Sequence, residues 1–157
     1  MPGINFYYAF PTITSAKRKI VLNYGSQCDD TNFVHRVLID DKHAVLTCTT
    51  YEGYPFLSFE TDEFRIFLEG YIYSENNGSV RAALIMLAEN LIKGQDAVAR
   101  ECIRSWLLEA DGEFIVLIYH KLTGVVRILT DALGRLPLYY ARDEQSIVIS
   151  RHLDLVV

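Results

Sequence analysis

The stretch DGEFIVLIYHKLTG, Asp111 to Gly124, and its continuation VVRILTDALGRLPLYY, Val125 to Tyr140, decide how this chain is read. Glu113 to His120 is almost wholly apolar and predicts a buried strand. Lys121 to Gly124 supplies turn chemistry, and Val125 to Thr130 returns as the second strand of a hairpin. The Asp131-x-x-Gly134 segment predicts a tight turn with Gly134 at positive φ. Pro137 opens an edge, and Tyr139 to Arg142 pairs with Ser146 to Ser150 around Asp143-Glu144-Gln145.

Upstream of this block the period changes. Val80, Ala83, Leu84, Leu87 and Leu91 recur at helical spacing, after an Asn76-Asn77-Gly78-Ser79 start signal, and predict a helix over Ser79 to Lys93. Gly94 is placed for a helix C′ residue. Asp96 then caps a second helix running to about Ala110, with Val98, Cys102, Trp106 and Leu107 on one face and Trp106 as its anchor on a sheet. The short Gly94-Gln95 link predicts antiparallel neighbours.

Further upstream the pattern is strand after strand. Ile4 to Phe10 is an apolar run ended by Pro11, and Ile20 to Tyr24 reads as a second strand after the basic turn Lys17-Arg18-Lys19. Gly25 to Asn32 is polar and reads as a loop. Val34 to Ile39 and Ala44 to Thr50 read as a hairpin about Asp40-Asp41-Lys42. Phe56 to Phe59 and Phe64 to Tyr73 complete the set. Many strands and one helix pair predict an α+β domain, its two antiparallel sheets face to face with helices outside.

Composition agrees. Half of the 157 residues are apolar, 22% are charged, and ten Tyr with eight Phe favour a sheet-dominated core in a single domain spanning 1–157. The formal charge of −5 argues against nucleic acid as a partner. No apolar run approaches the roughly 20 residues that cross a bilayer, and the N-terminus has no secretory pattern. Three cysteines (Cys28, Cys48, Cys102) are odd in number and widely spaced, which suits a reducing, cytoplasmic setting.

Most familiar chemistries find no foothold. His35, His43, His120 and His152 are scattered, without partners at metal-ligand spacing. No phosphate-binding glycine loop occurs. Glu60, Asp62 and Glu63 read as a solvated acidic turn.

The C-terminal block resembles the class II glutamine amidotransferase domain of asparagine synthetases. That family carries Gly-x-Phe-Ala-Phe-x-Ile-Tyr-Asp and then Arg-Asp-x-x-Gly-x-x-Pro-Leu-Tyr-Tyr. The matching residues are Gly112, Phe114, Ile118, Tyr119, Asp131, Gly134, Pro137, Leu138, Tyr139 and Tyr140. Glu69-Gly70-Tyr71-Ile72-Tyr73 stands where the family has Asn-Gly-Glu-Ile-Tyr, and Ile149-Ser150-Arg151-His152-Leu153 resembles its Ala-Ser-Glu-x-Lys. Met1-Pro2-Gly3-Ile4 looks like Met-Cys-Gly-Ile with the cysteine changed. The resemblance implies the N-terminal-nucleophile hydrolase fold, a four-layer αββα sandwich of two antiparallel sheets.

The residues that carry the family's chemistry are replaced. Its nucleophile is an N-terminal Cys whose own α-amine is the base; Pro2 has no thiol. Its oxyanion hole resembles an Asn side chain and a Gly N–H, and here Glu69 replaces the Asn while Gly70 remains. A carboxylate facing a developing oxyanion has the wrong sign. Glu69 reads either as a strand-end carboxylate in water or as the floor of a remodelled pocket. The Arg that grips the glutamine carboxylate corresponds to Val45, before Leu46-Thr47, and the Asp that holds its amine falls at Val80-Arg81.

These departures predict a non-catalytic domain belonging with an asparagine-synthetase-like, amide-forming enzyme of peptide or natural-product biosynthesis. Its expected partner is a synthetase or cyclase domain, in cis or in trans, and a second copy of the chain is a further candidate. The resemblance implies ATP and Mg only for that absent part, with no cofactor or metal here. The ending Leu153 to Val157, in mid-motif, predicts that the chain is the N-terminal portion of a longer protein. Two alternatives are an amidohydrolase that uses the secondary amine of Pro2, and a stand-alone interaction module.

Overall fold

The computed structural model describes residues 2–24, 32–73, 77–92, 94 and 97–157. Cys28, Lys93, Gln95, the Asp96 cap and most of the Gly25–Asn32 loop lie outside the described residues, as do Asn76 and the side chain of Asn77. The architecture is α+β, with antiparallel strands in two sheets. The chain divides into two compact units, Met1–Tyr54 with Pro137–Val157, and Pro55–Leu136.

The first unit holds β1 (Gly3–Ala9), α1 (Ser15–Tyr24), β2 (Val34–Asp40), β3 (Ala44–Thr50), β8 (Tyr139–Arg142) and β9 (Ser146–Ser150). Its sheet runs β2-β3-β1-β9-β8. The β2–β3 and β8–β9 hairpins stand where turn chemistry puts them, and β1 joins them, pairing with both β3 and β9. On one face Tyr7, Ala9 and Val45 pack with Ile13 and with Val21 of α1. β3 is buried at every position, so its run Ala44-Val45-Leu46 needs no polar alternation.

The expected strand at Ile20–Tyr24 is instead the second half of α1. The β-branched, apolar Ile20-Val21-Leu22 run imitates a strand, but the chain turns helical one residue after Thr14. The Thr14 carbonyl accepts from Arg18 N–H at 2.9 Å, and its hydroxyl accepts from Lys17 N–H at 3.4 Å. The basic triplet therefore lies inside the helix. Arg18, Val21 and Leu22 form its covered side, at spacings of three and four, while Ile20 is 59% exposed.

The second unit holds β4 (Phe56–Glu60), β5 (Phe64–Ile72), α2 (Asn77–Ile92), α3 (Ala97–Glu109), β6 (Gly112–His120) and β7 (Val126–Thr130), its sheet in the order β4-β5-β6-β7. Phe64, Ile66, Leu68 and Ile72 of β5 share a face with Phe114, Val116 and Ile118 of β6, and this face packs against Val80, Leu84, Leu87 and Ala88 of α2. Trp106 of α3 reaches Phe114, ring centroids 5.6 Å apart, and so anchors its helix on the sheet as expected. Of the expected face of α3, Cys102, Trp106 and Leu107 are half-buried, and Val98 is not covered. Ala99 and Ile103 join that covered side, and Val98 is 77% exposed. At the end of α2, Gly94 N–H bonds the Glu89 carbonyl at 3.3 Å. No described helix is long and apolar enough to cross a membrane.

Candidate functional site

The residues matched to the amidotransferase reaction are distributed over both units. Pro2 precedes β1, half-buried, in the first; Glu69 and Gly70 lie on β5 in the second.

Glu69 is 1% exposed, so the reading of a carboxylate in water is wrong. Its register partners are Phe56 on β4 and Ile115 on β6, and strand alternation puts it on the face of Phe67 and Leu117, away from α2 and α3. The cause lies in the neighbours: Glu69 is in the interior of a nine-residue strand flanked on both sides, not at its end.

Gly70 is fixed by its neighbours. Its N–H donates to the Pro55 carbonyl at 2.8 Å. Its φ of +97° and its surroundings exclude any side chain, since a Cβ would stand 1.9 Å from the Glu113 carbonyl oxygen. A Cβ on Gly112, on the neighbouring strand, would stand 2.2 Å from the Tyr71 carbonyl oxygen. The two glycines let β5 and β6 approach where their ladder ends.

The Asp131-x-x-Gly134 motif downstream serves the same junction. Asp131 is buried, and its N–H donates to the Phe114 carbonyl at 3.0 Å. Its carboxylate accepts from Leu133 N–H at 3.0 Å and from Arg135 N–H at 3.1 Å. Gly134, at φ +60°, donates its N–H to the Asp131 carbonyl at 3.0 Å, closing the expected turn. Arg135 then reaches back, its Nη1 2.8 Å from the Gly112 carbonyl oxygen and 3.5 Å from Asp111 Oδ1. Asp131, Gly134 and Arg135 form a clasp that binds the loop after β7 to the start of β6.

The positions matched to the substrate clamps are filled by core. Val45 packs with Tyr7 and Val21, and Val80 with Leu84 and the β5–β6 face. Arg81 lies over the Phe59 ring at 5.1 Å. Tyr140, on the edge strand β8, is exposed.

A buried polar row on β1, β3 and β9 has no signal in the sequence beyond the alternation of Thr47 with Thr49. Ser150 Oγ–H donates to Asn5 Oδ1 at 2.5 Å, and His152 N–H donates to Ser150 Oγ at 2.8 Å. Asn5 Nδ2 and Thr47 Oγ1 are buried without a partner among the described residues. His35 spans from β2 to α1, its Nε2 2.9 Å from the Leu22 carbonyl oxygen, which makes Nε2 the protonated nitrogen.

The acidic turn is tied down: Glu60 lies 3.1 Å from Lys121 Nζ and 3.3 Å from Arg65 Nε. Lys121 first, then Arg65, holds its carboxyl below the usual range. Among the described residues no group of three His, Cys, Asp or Glu could hold a metal ion. His120 turns its Nδ1 to Thr123 Oγ1 at 2.6 Å. In comparisons with known proteins, no family model matches the chain, and no curated protein matches it.

Proposed function

We propose that this chain is a class II glutamine amidotransferase-type domain, of the asparagine-synthetase-like kind, that has lost its glutaminase and serves a partner synthetase. The fold that goes with this reading is the N-terminal-nucleophile hydrolase sandwich. The domain is a structural or regulatory element for an ATP-dependent synthetase or cyclase domain, in cis or in trans, and it works in the cytoplasm.

The observation that carries the reading is Gly70. Of the two oxyanion donors the resemblance implies, only its N–H survives, and that N–H is committed to the Pro55 carbonyl. An acyl-transfer centre needs donors aimed at the oxygen that gains charge. Glu69 beside it is an acidic residue in the place of the second donor. The residues that match the family, Gly112, Asp131 and Gly134 among them, have roles in backbone geometry that any user of the scaffold would keep.

The test is to incubate the purified protein with glutamine, following glutamate release, and to titrate glutamine by NMR. Neither release nor saturable shifts are expected. Glutamate release that disappears on mutation of Pro2 would establish the amidohydrolase instead.

A further inference from the structure

The sheet of the first unit carries a polar row inside a buried face. Asn5 on β1 stands in register between Thr47 on β3 and Ser150 on β9, and all three are fully buried. Register partners on neighbouring strands point to the same face, so the three side chains line up across the sheet. Thr49, two residues on from Thr47, shares that face. Tyr7 and Val45, the next register pair along it, belong to the apolar cluster that includes Val21 of α1. The polar row therefore continues a packed core.

Hydrogen bonds fix what each group still lacks. His152 N–H donates to Ser150 Oγ at 2.8 Å, and Ser150 gives its only hydroxyl proton to Asn5 Oδ1 at 2.5 Å. That chain orients the Asn5 amide: its oxygen is engaged on the β9 side, and Nδ2 keeps two N–H donors. Neither Asn5 Nδ2 nor Thr47 Oγ1 has a partner among the described residues, although the two residues face each other in register. Thr49 Oγ1 meets His35 Nδ1 at 3.4 Å. Since His35 Nε2–H donates to the Leu22 carbonyl, Nδ1 is the acceptor and the Thr49 hydroxyl proton is committed toward β2.

Two facing groups with complementary needs and no bond between them define an occupant. Side chains directly opposite on antiparallel strands have Cβ atoms about 4.5–5.5 Å apart, so one atom between their tips reaches both. It must accept from Nδ2 and exchange a hydrogen bond with Thr47 Oγ1. Asn5, Thr47, Thr49 and Ser150 are uncharged and offer an ion no counter-charge. Buried polar groups that lack a protein partner are met in folded proteins by ordered water.

We propose that a buried water bridges Asn5 Nδ2 and Thr47 Oγ1, accepting from the amide and donating to the hydroxyl oxygen, and so ties β1 to β3 through their side chains. The site stands without the amidotransferase reading, since burial and hydrogen bonding alone define it.

A crystal structure of the full chain, at a resolution that orders waters, tests this. One water is expected at about 2.7–3.2 Å from both Asn5 Nδ2 and Thr47 Oγ1. Thr47→Val keeps the shape of the side chain and removes the acceptor. With a bridging water, this change lowers the urea midpoint at constant slope. Were Thr47 simply unpaired, the same change would remove an unsatisfied hydroxyl and raise the midpoint. Thr47→Ser keeps the oxygen and is expected to keep the water in its own crystal structure. An empty gap in the unaltered protein, a direct Asn5–Thr47 hydrogen bond, loss of the water in Thr47→Ser, or an unchanged or raised midpoint for Thr47→Val would each overturn the proposal.

Discussion

At Gly70 a single methyl group would meet the Glu113 carbonyl oxygen at 1.9 Å, on a backbone whose φ of +97° already disfavours any side chain. Gly70→Ala is therefore expected to cost about 4 kcal/mol or more, at the upper end for single substitutions. Gly124→Ala is the control: φ is +68° but nothing lies within 4 Å of the added atom. Its cost is about 1 kcal/mol, from backbone conformation alone. Urea unfolding of both variants measures the difference. Asp143 gives a second residue-scale prediction. Hydrogen bonds from Ser146 Oγ–H, first, and from its own turn hold its carboxyl at about 2, below the ordinary 3.8. A depressed folded-state value means that the unfolded chain takes up the proton first as pH falls. The stabilisation is complete above the unfolded value and is lost as pH falls from about 3.8 through about 2. A carboxyl titration by NMR should place the midpoint near 2, and Ser146→Ala should move it upward. At this scale the sequence is partly legible. The Asp131-x-x-Gly134 turn could be read because its residue types have a local backbone purpose. The burial of Glu69 could not, because it depends on what Phe56 and Ile115 do on the strands either side.

Among elements, the clasp after β7 is the most exposed to a single change. Asp131→Ala removes the acceptor of the Leu133 and Arg135 N–H groups inside a buried loop. A loss of about 2–3 kcal/mol is expected, with Asp131→Asn milder because an amide oxygen still accepts. A shift of the urea midpoint at constant slope would register it as stability rather than a change of the unfolded state. Leu84→Ala, in the fully buried stripe of α2, is expected to cost about 2–5 kcal/mol by transfer and cavity together. Strands and helices were legible to different degrees for physical reasons. β6 and β7 announce themselves through a long apolar run and a turn, and α2 through its spacing. α1 was missed because Ile20-Val21-Leu22 has strand composition, and the deciding feature is the Thr14 cap seven residues before Val21. The face of α3 was legible at Cys102, Trp106 and Leu107 but not at its start, where apolar Val98 is exposed and small Ala99 is buried.

For the molecule as a whole, local patterns gave the hairpins but not the sheet order. That β1 pairs with β9 brings together residues more than a hundred positions apart, Asn5 with Ser150, and no nearby signal encodes it. The candidate site shows the same divide. The positions that resemble the amidotransferase motif were recognisable by their spacing, and Gly112, Asp131 and Gly134 among them serve backbone geometry here. The surroundings of the positions that the resemblance assigns to the reaction were hidden, since they needed the direction of one N–H group and the packing of Val45 and Val80.

The central claim is that the scaffold persists without a glutaminase, and one variant tests it directly. Pro2→Cys restores the nucleophile that the family resemblance implies; mass spectrometry would verify removal of Met1, and glutamate release from glutamine would be followed over hours. The account predicts no release above that of the unaltered protein, because the Gly70 N–H is engaged by Pro55, an acidic residue, Glu69, stands where the resemblance implies the second donor, and Val45 and Val80, where it implies the clamps, are core. Steady turnover by the Pro2→Cys protein would contradict it.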